Sequence, residues 1–187
     1  MARYASSKGE SGFSMVEIVV AMGIFAAGLI ALAQLFTIAT TANQRARTST
    51  MAAVLADQKM EQLRGLLWGF DLTGLPISDL SSDISVVPAS STGGAGLSPS
   101  PAGTLTNNVP GYVDYVDAYG NWVGTGAAPP AGAVYVRRWS IEPMPTNPNN
   151  TLVLQVLVSR VRPATAAGQA RQPDEARLVS IKTRKSS

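Results

Sequence analysis

One stretch limits what this chain can become. From Phe13 to Phe36 it reads Phe-Ser-Met-Val-Glu-Ile-Val-Val-Ala-Met-Gly-Ile-Phe-Ala-Ala-Gly-Leu-Ile-Ala-Leu-Ala-Gln-Leu-Phe, and after Glu17 the next charge is Arg45. A helix needs about 20 mainly apolar residues to cross a bilayer, and this run supplies them. Residues 1–12 are polar, with Arg3 and Lys8 as cations and Glu10 as the acid. The positive-inside rule then puts the N-terminus in the cytoplasm and the rest of the chain outside.

Glu17 is what an ordinary anchor does not explain. A secretory signal peptide ends its apolar run at a small-residue cleavage site, whereas this run passes into a polar helical pattern. A plain signal anchor fits the length but leaves a carboxylate in lipid, at a cost of about 2.5–3.5 kcal/mol. Glu17 lies four residues after Phe13, on the same face of a helix. A cut between Gly12 and Phe13 would create an α-amino group beside that face. The new cation would compensate the carboxylate, in the same subunit or in a neighbour.

At Lys8-Gly-Glu-Ser-Gly12, Phe13-Ser-Met-Val-Glu17 and the apolar run that follows, the sequence resembles the type IV prepilin and type II secretion pseudopilin superfamily. The resemblance covers about thirty residues. It implies that prepilin peptidase cuts after Gly12 and N-methylates Phe13, and that Glu17 registers the subunit against a neighbour's N-terminal amine. It also implies an inner-membrane protein that later joins a periplasmic or cell-surface filament of other pilins or pseudopilins. Major pilins of this family often carry a helix-breaking proline where this chain has Gln34. With Gln34 a good helix former and Gly28 the one local weak point, a minor subunit fits better than the main building block.

The helix is expected to continue. Thr37 to Asn43 lacks proline and glycine, and then Ala52, Ala56, Met60, Leu63 and Leu67 recur at helical spacing with Leu55 and Leu66 beside them. Arg45, Arg47, Asp57, Lys59, Glu61 and Arg64 are assigned to the solvent side. A stop is expected between Gly65 and Gly69, giving a helix roughly 80 Å long at ~1.5 Å per residue. The segments are then 1–12 leader, 13–36 membrane or filament core, 37–68 amphipathic helix, and 69–187 extracytoplasmic domain.

That domain reads as strands after a long irregular stretch. Asp71 to Val109 is loop-like, with a short strand at Ile84 to Val87 and a flexible low-complexity loop over 88–108 that contributes nothing to a core. Tyr112 to Asp117 and Trp122-Val123 flank a turn at Ala118 to Asn121. Val134 to Glu142 alternates, with Tyr135, Trp139 and Ile141 sharing a face with Arg137. Leu152 to Val158 is apolar on nearly both faces, which predicts a central strand, and Ala176 to Thr183 alternates with Val179 and Ile181 inward. Short turns between consecutive strands predict an antiparallel sheet packed on the helix stripe, an α+β fold. The series from Val134 through Leu152 to Val158 also looks like the sheet of PilV-type minor pilins.

Composition removes several chemistries. The chain has no cysteine and no histidine, so disulfides, Ser-His-Asp and Cys-His catalysis and the usual zinc ligand sets are excluded. No paired motif for carboxylate or Ser-Lys catalysis is present, and the expectation is a non-enzyme without cofactor or metal. A net charge of +3 does not call for nucleic acid as a partner. The sign is uneven: Asp71 to Val136 holds no Lys or Arg, and basic residues dominate from Arg137 onward, an asymmetry that can pair neighbouring subunits. Asp114, Asp117 and Asn121 are oxygen donors for calcium only against the spacing of known loops. Arg137, Arg138, Arg160 and Arg162 could form a basic patch, without the stacking aromatics of a DNA site. Asn149-Asn150-Thr151 matches an acceptor sequon.

Four functions follow as expectations. The first is a minor type IV pilin, built into a pilus filament or priming it. The second is a minor pseudopilin of type II secretion. The third is a membrane-anchored binding or adhesion protein that never polymerises and keeps its leader. A tethered enzyme would need a constellation that the sequence does not offer.

Overall fold

The computed structural model describes residues 12–161 and 175–185. The leader cations Arg3 and Lys8, Glu10 and the candidate patch residue Arg162 lie outside the described residues. The chain divides into two compact units, Met1–Gln44 and Arg45–Ser187, and each is described by itself.

The first unit is helical once described. Helix α1 spans Met15–Gly65, 51 residues, and runs without a break through Gly28 and Gln34. In this unit the apolar side chains from Phe13 to Ile38 are exposed. Thr37 and Thr40 donate their hydroxyls to the carbonyls of Ala33 and Phe36, one turn back, so the small polar stretch spends its hydroxyls within the helix.

The second unit places the last turns of α1 on a sheet. Its strands are β1 (Trp68–Phe70), β2 (Pro76–Ser78), β3 (Val113–Val116), β4 (Trp122–Thr125), β5 (Tyr135–Pro143), β6 (Thr151–Arg160) and β7 (Ala176–Thr183). β1 and β2 form a hairpin, and the other five form one sheet in the order β4-β3-β5-β6-β7, with every pair antiparallel. Ala52, Leu55, Ala56, Met60 and Leu63 of α1 pack against Tyr135, Trp139, Ile141, Leu152, Leu154, Val156 and Val158. Each fully buried Leu or Val is worth about 1.5–3 kcal/mol, so this interface dominates the stability of the unit. The architecture is α+β, as the periodicities predict.

Several expectations need correction. Leu67 is 54% exposed, because α1 stops at Gly65 and the next residues turn into β1. Ile84 to Val87 is not a strand; only an isolated bridge joins Asp83 to Ser90. β6 is interior but second from the edge, and β5 is the middle strand. Its inward row, Leu152 to Val158 at every second position, is buried, while Val153 and Leu157 opposite are half-exposed. On β7 the faces are reversed. Ala176 and Leu178 pack on the core, and Val179 and Ile181 are 60% and 58% exposed. A strand's side chains alternate with period 2, so pairing Val158 with Ala176 and Val156 with Leu178 sends the other set outward.

The glycine-rich stretch is also part of the structure. Leu97 is 1% exposed and Thr104 is buried, and Ser100 N–H donates to Ile141 O at 2.9 Å. Gly94 and Gly96 lie on the backbone of 79–83 and donate N–H groups to Ser81 and Ser82 carbonyls, each at 2.8 Å. A Cβ at Gly94 would stand 2.1 Å from Asp83 Cα, and one at Gly96 would stand 2.6 Å from Asp79 O. Low complexity here serves close backbone approach.

Candidate functional site

The first candidate is the start of α1. Gly12, Phe13 and Ser14 precede the helix, and Ser14 begins it. Its carbonyl accepts from Glu17 N at 3.0 Å and Ile18 N at 3.2 Å, and its hydroxyl oxygen accepts from Val16 N at 3.4 Å. Ser14 is therefore the N-cap, and Glu17 sits in the first turn, where the macrodipole favours an acid. The Ser-x-x-Glu spacing is a capping-box signature legible in the sequence. Phe13 and Glu17 lie on one face with Ile18, Ala21, Met22 and Phe25. The structure thus brings the expected working pair onto one exposed apolar surface. α1 is long and apolar enough to cross a membrane.

The second feature lies in the Arg45–Ser187 unit and comes from residues assigned elsewhere. Lys59 is fully buried, in line with Ala52, Ala56 and Leu63 on the helix stripe. Its ammonium lies 2.8 Å from Asp114 Oδ2, donates to Ile84 O at 2.6 Å, and stands 4.6 Å from the Trp139 ring centre. Arg137, one strand over from Asp114, grips the same carboxylate through Nε and Nη2, both at 2.7 Å. One buried acid therefore serves two buried cations. The Lys59 ammonium is pulled down to about 8: burial lowers it most, Asp114 opposes that, and Arg137 adds to the lowering.

This arrangement bears on two of the possibilities weighed above. Asp114 is not available to calcium, because both its oxygens face cations. Asp117 and Asn121 are spent on the β3–β4 turn, where Asp117 accepts from Tyr119 N, Asn121 N and Asn121 Nδ2. No group of three or more metal-binding carboxylates occurs among the described residues. Among the described residues, the adjacent arginines Arg137 and Arg138 do not share a patch. Arg137 is buried toward the helix, whereas its neighbour Arg138 donates to Asn108 Oδ1 at 2.8 Å on the opposite face. The sequon residue Thr151 is buried, and the main-chain carbonyls of Asn149 and Asn150 accept from Arg184.

Sequence reasoning missed Lys59 because its type outweighed its position. Spacing alone places it three residues after Ala56 and four before Leu63. Comparison with protein-family models, curated proteins and solved structures finds no match for this chain.

Proposed function

We propose that this chain is a pilin-like subunit, most like a minor type IV pilin, that is anchored in a bacterial inner membrane by the first half of α1 and then drawn into a filament through it. The observation that carries this reading is the exposed apolar surface from Phe13 to Ile38 with a single carboxylate, Glu17, in its first turn. Such a surface needs lipid or other helices around it. The carboxylate is costly in lipid and becomes useful once a cation meets it.

Cleavage after Gly12 by prepilin peptidase would supply that cation. A free α-amine titrates near 7.7–8.0 and is largely charged at neutral pH. Left alone at a helix N-terminus it faces the positive end of the macrodipole. Glu17 of a neighbouring subunit would relieve both unpaired charges, and only in one axial register. The unbroken course of α1 through Gln34 supports a minor subunit over a main, extensible one.

The test is to express Glu17→Ala in cells that assemble the filament and to assay both sheared filaments and membranes. Cleavage after Gly12 should continue, while the variant falls about tenfold or more in filaments, a loss of about 1.4 kcal/mol or more of assembly energy. Equal incorporation of variant and native chains would remove the registration role, and absence of the native chain from sheared filaments would remove the case for a pilin over a plain anchor.

A further inference from the structure

Among the described residues β7 is an edge strand of the five-stranded sheet, with β6 paired on one side of it. Among the described residues, the next backbone pairing on its other side is at Lys185, whose carbonyl accepts from Phe70 N at 3.2 Å and which bridges Gly69 in parallel. The chain thus already lays a strand end against this edge, but only beyond Thr183. An antiparallel edge strand turns alternate N–H and C=O groups outward, and such a row is a template for another strand.

The surroundings of this edge are chemically sided. On the outer face, Val179 and Ile181 are exposed. On the inner side, a groove of about 760 Å³ runs between Ile181–Thr183, the last turn of α1 and β1. Arg64, Lys182 and Lys185 line it, with Glu61 as the acid, and Glu61 is engaged with Arg64 at 2.8 Å. Lys182 donates to Arg64 O at the helix C-terminus. Burial, then repulsion from Lys185 and Arg64, lowers its affinity for a proton; with three cations and one acid among its described lining residues, the groove is net positive.

We propose that the β7 edge binds an extended peptide segment of another protein by strand addition, and that this segment alternates apolar and acidic residues. Its apolar residues lie beside Val179 and Ile181; its acidic residues, on the other face of the same strand, meet Lys182 and, across the groove, Arg64. The period of 2 in a strand imposes that alternation, and cross-strand neighbours supply the selectivity. Edge lysines discourage pairing with a second apolar or basic edge. The same charges select an acidic one. This inference is independent of the filament reading, since it uses only the Arg45–Ser187 unit.

The experiment titrates the full chain in detergent micelles with fluorescein-labelled peptides long enough to span Ala176–Thr183. One peptide alternates valine and glutamate. A second has the same composition in two blocks, and a third alternates valine and lysine. The first should bind saturably, about tenfold or more tighter than the others, or about 1.4 kcal/mol. Backbone amides of β7 should gain protection from hydrogen exchange on binding. Val179→Lys, on the exposed face, should weaken binding about tenfold with an unchanged thermal melt. Lys182→Glu should shift preference to the valine–lysine peptide. Equal binding of the block peptide would reduce the effect to charge alone and overturn strand addition. No saturable binding of the alternating peptide would overturn the proposal outright. Binding that appears only after deletion of 162–174 would overturn it too, by making the chain's own segment the occupant.

Discussion

Replacing Asp114 with Asn tests the buried charge cluster, because it deletes the one acid and leaves both cations in place. The carboxylate is fully buried and receives two bonds at 2.7 Å from Arg137 and a contact at 2.8 Å from Lys59. In Asp114→Asn an amide oxygen still accepts, but no negative charge remains. Lys59 and Arg137 then repel without an intermediary, and Lys59 must either stay charged in a dry site or give up its proton. Breaking a buried pair in this way costs about 3–5 kcal/mol. For a chain of 150–250 residues each kcal/mol moves the melting temperature by about 2–4 °C, so the midpoint should fall by about 6–20 °C. Lys59→Met is the informative partner variant. It removes the cation that burial disfavours and leaves a one-to-one, two-bonded Asp114–Arg137 pair. It forfeits the bond to Ile84 O and should cost at least about 2 kcal/mol less than Asp114→Asn. Circular dichroism melts of both full-length variants at pH 7 in one detergent decide the matter. A shift under about 3 °C for Asp114→Asn, or equal losses for the two variants, would refute the reasoning.

Lys59 also sets a pH dependence. Its folded value, about 8, lies below its ordinary 10.5, so between those values the unfolded chain binds more protons and stability rises with pH. From pH 8 to 9.5 the gain from Lys59 should be about 1–2 kcal/mol by denaturant titration, and Lys59→Met should remove that share, leaving only the contribution of Lys182, whose proton affinity is lowered in the same direction. Above that window Tyr112 and Tyr115, whose phenols burial pushes up, act in the opposite direction. Leu97→Ala should cost about 2–5 kcal/mol if the glycine-rich stretch belongs to the core, and a loss under about 0.5 kcal/mol, typical of surface changes, would show that it does not. Gly94→Ala should destabilise by more than about 1 kcal/mol, because its methyl has backbone within 2.5 Å on both Asp83 and Ser82; an unchanged denaturation midpoint would contradict that packing.

What the sequence reveals here follows the range of the interactions involved. The long apolar run, the helix stripe and the alternating strands are local periodicities, and each one reappears in α1 and β3 to β7. Charged and turn positions depend on distant partners. Lys59 reads as solvent-facing until Asp114 and Arg137 arrive from two strands far along the chain, and a single sequence carries no signal of that meeting. β7 is misread for a different reason. Its inward row, Ala176, Leu178, Ser180 and Lys182, is less apolar than its outward row, so composition points to the wrong face. Lys182 is tolerated on the inner side because the end of α1 offers it the Arg64 carbonyl. In the 88–108 stretch, glycine suggests slack chain, whereas Gly94 and Gly96 are there so that two backbones can touch. At the start of α1 the apolar run locates the helix, while the cap at Ser14 is identified by the hydrogen bonds it accepts.

The claim on which the functional account rests is a covalent one. Intact-peptide mass spectrometry of the native protein, taken from cells that make the filament, reads it directly. The account predicts a chain that starts at Phe13 and carries one added methyl group on its α-nitrogen. A start that still includes residues 1–12, or a bare amine at any other position, would contradict it.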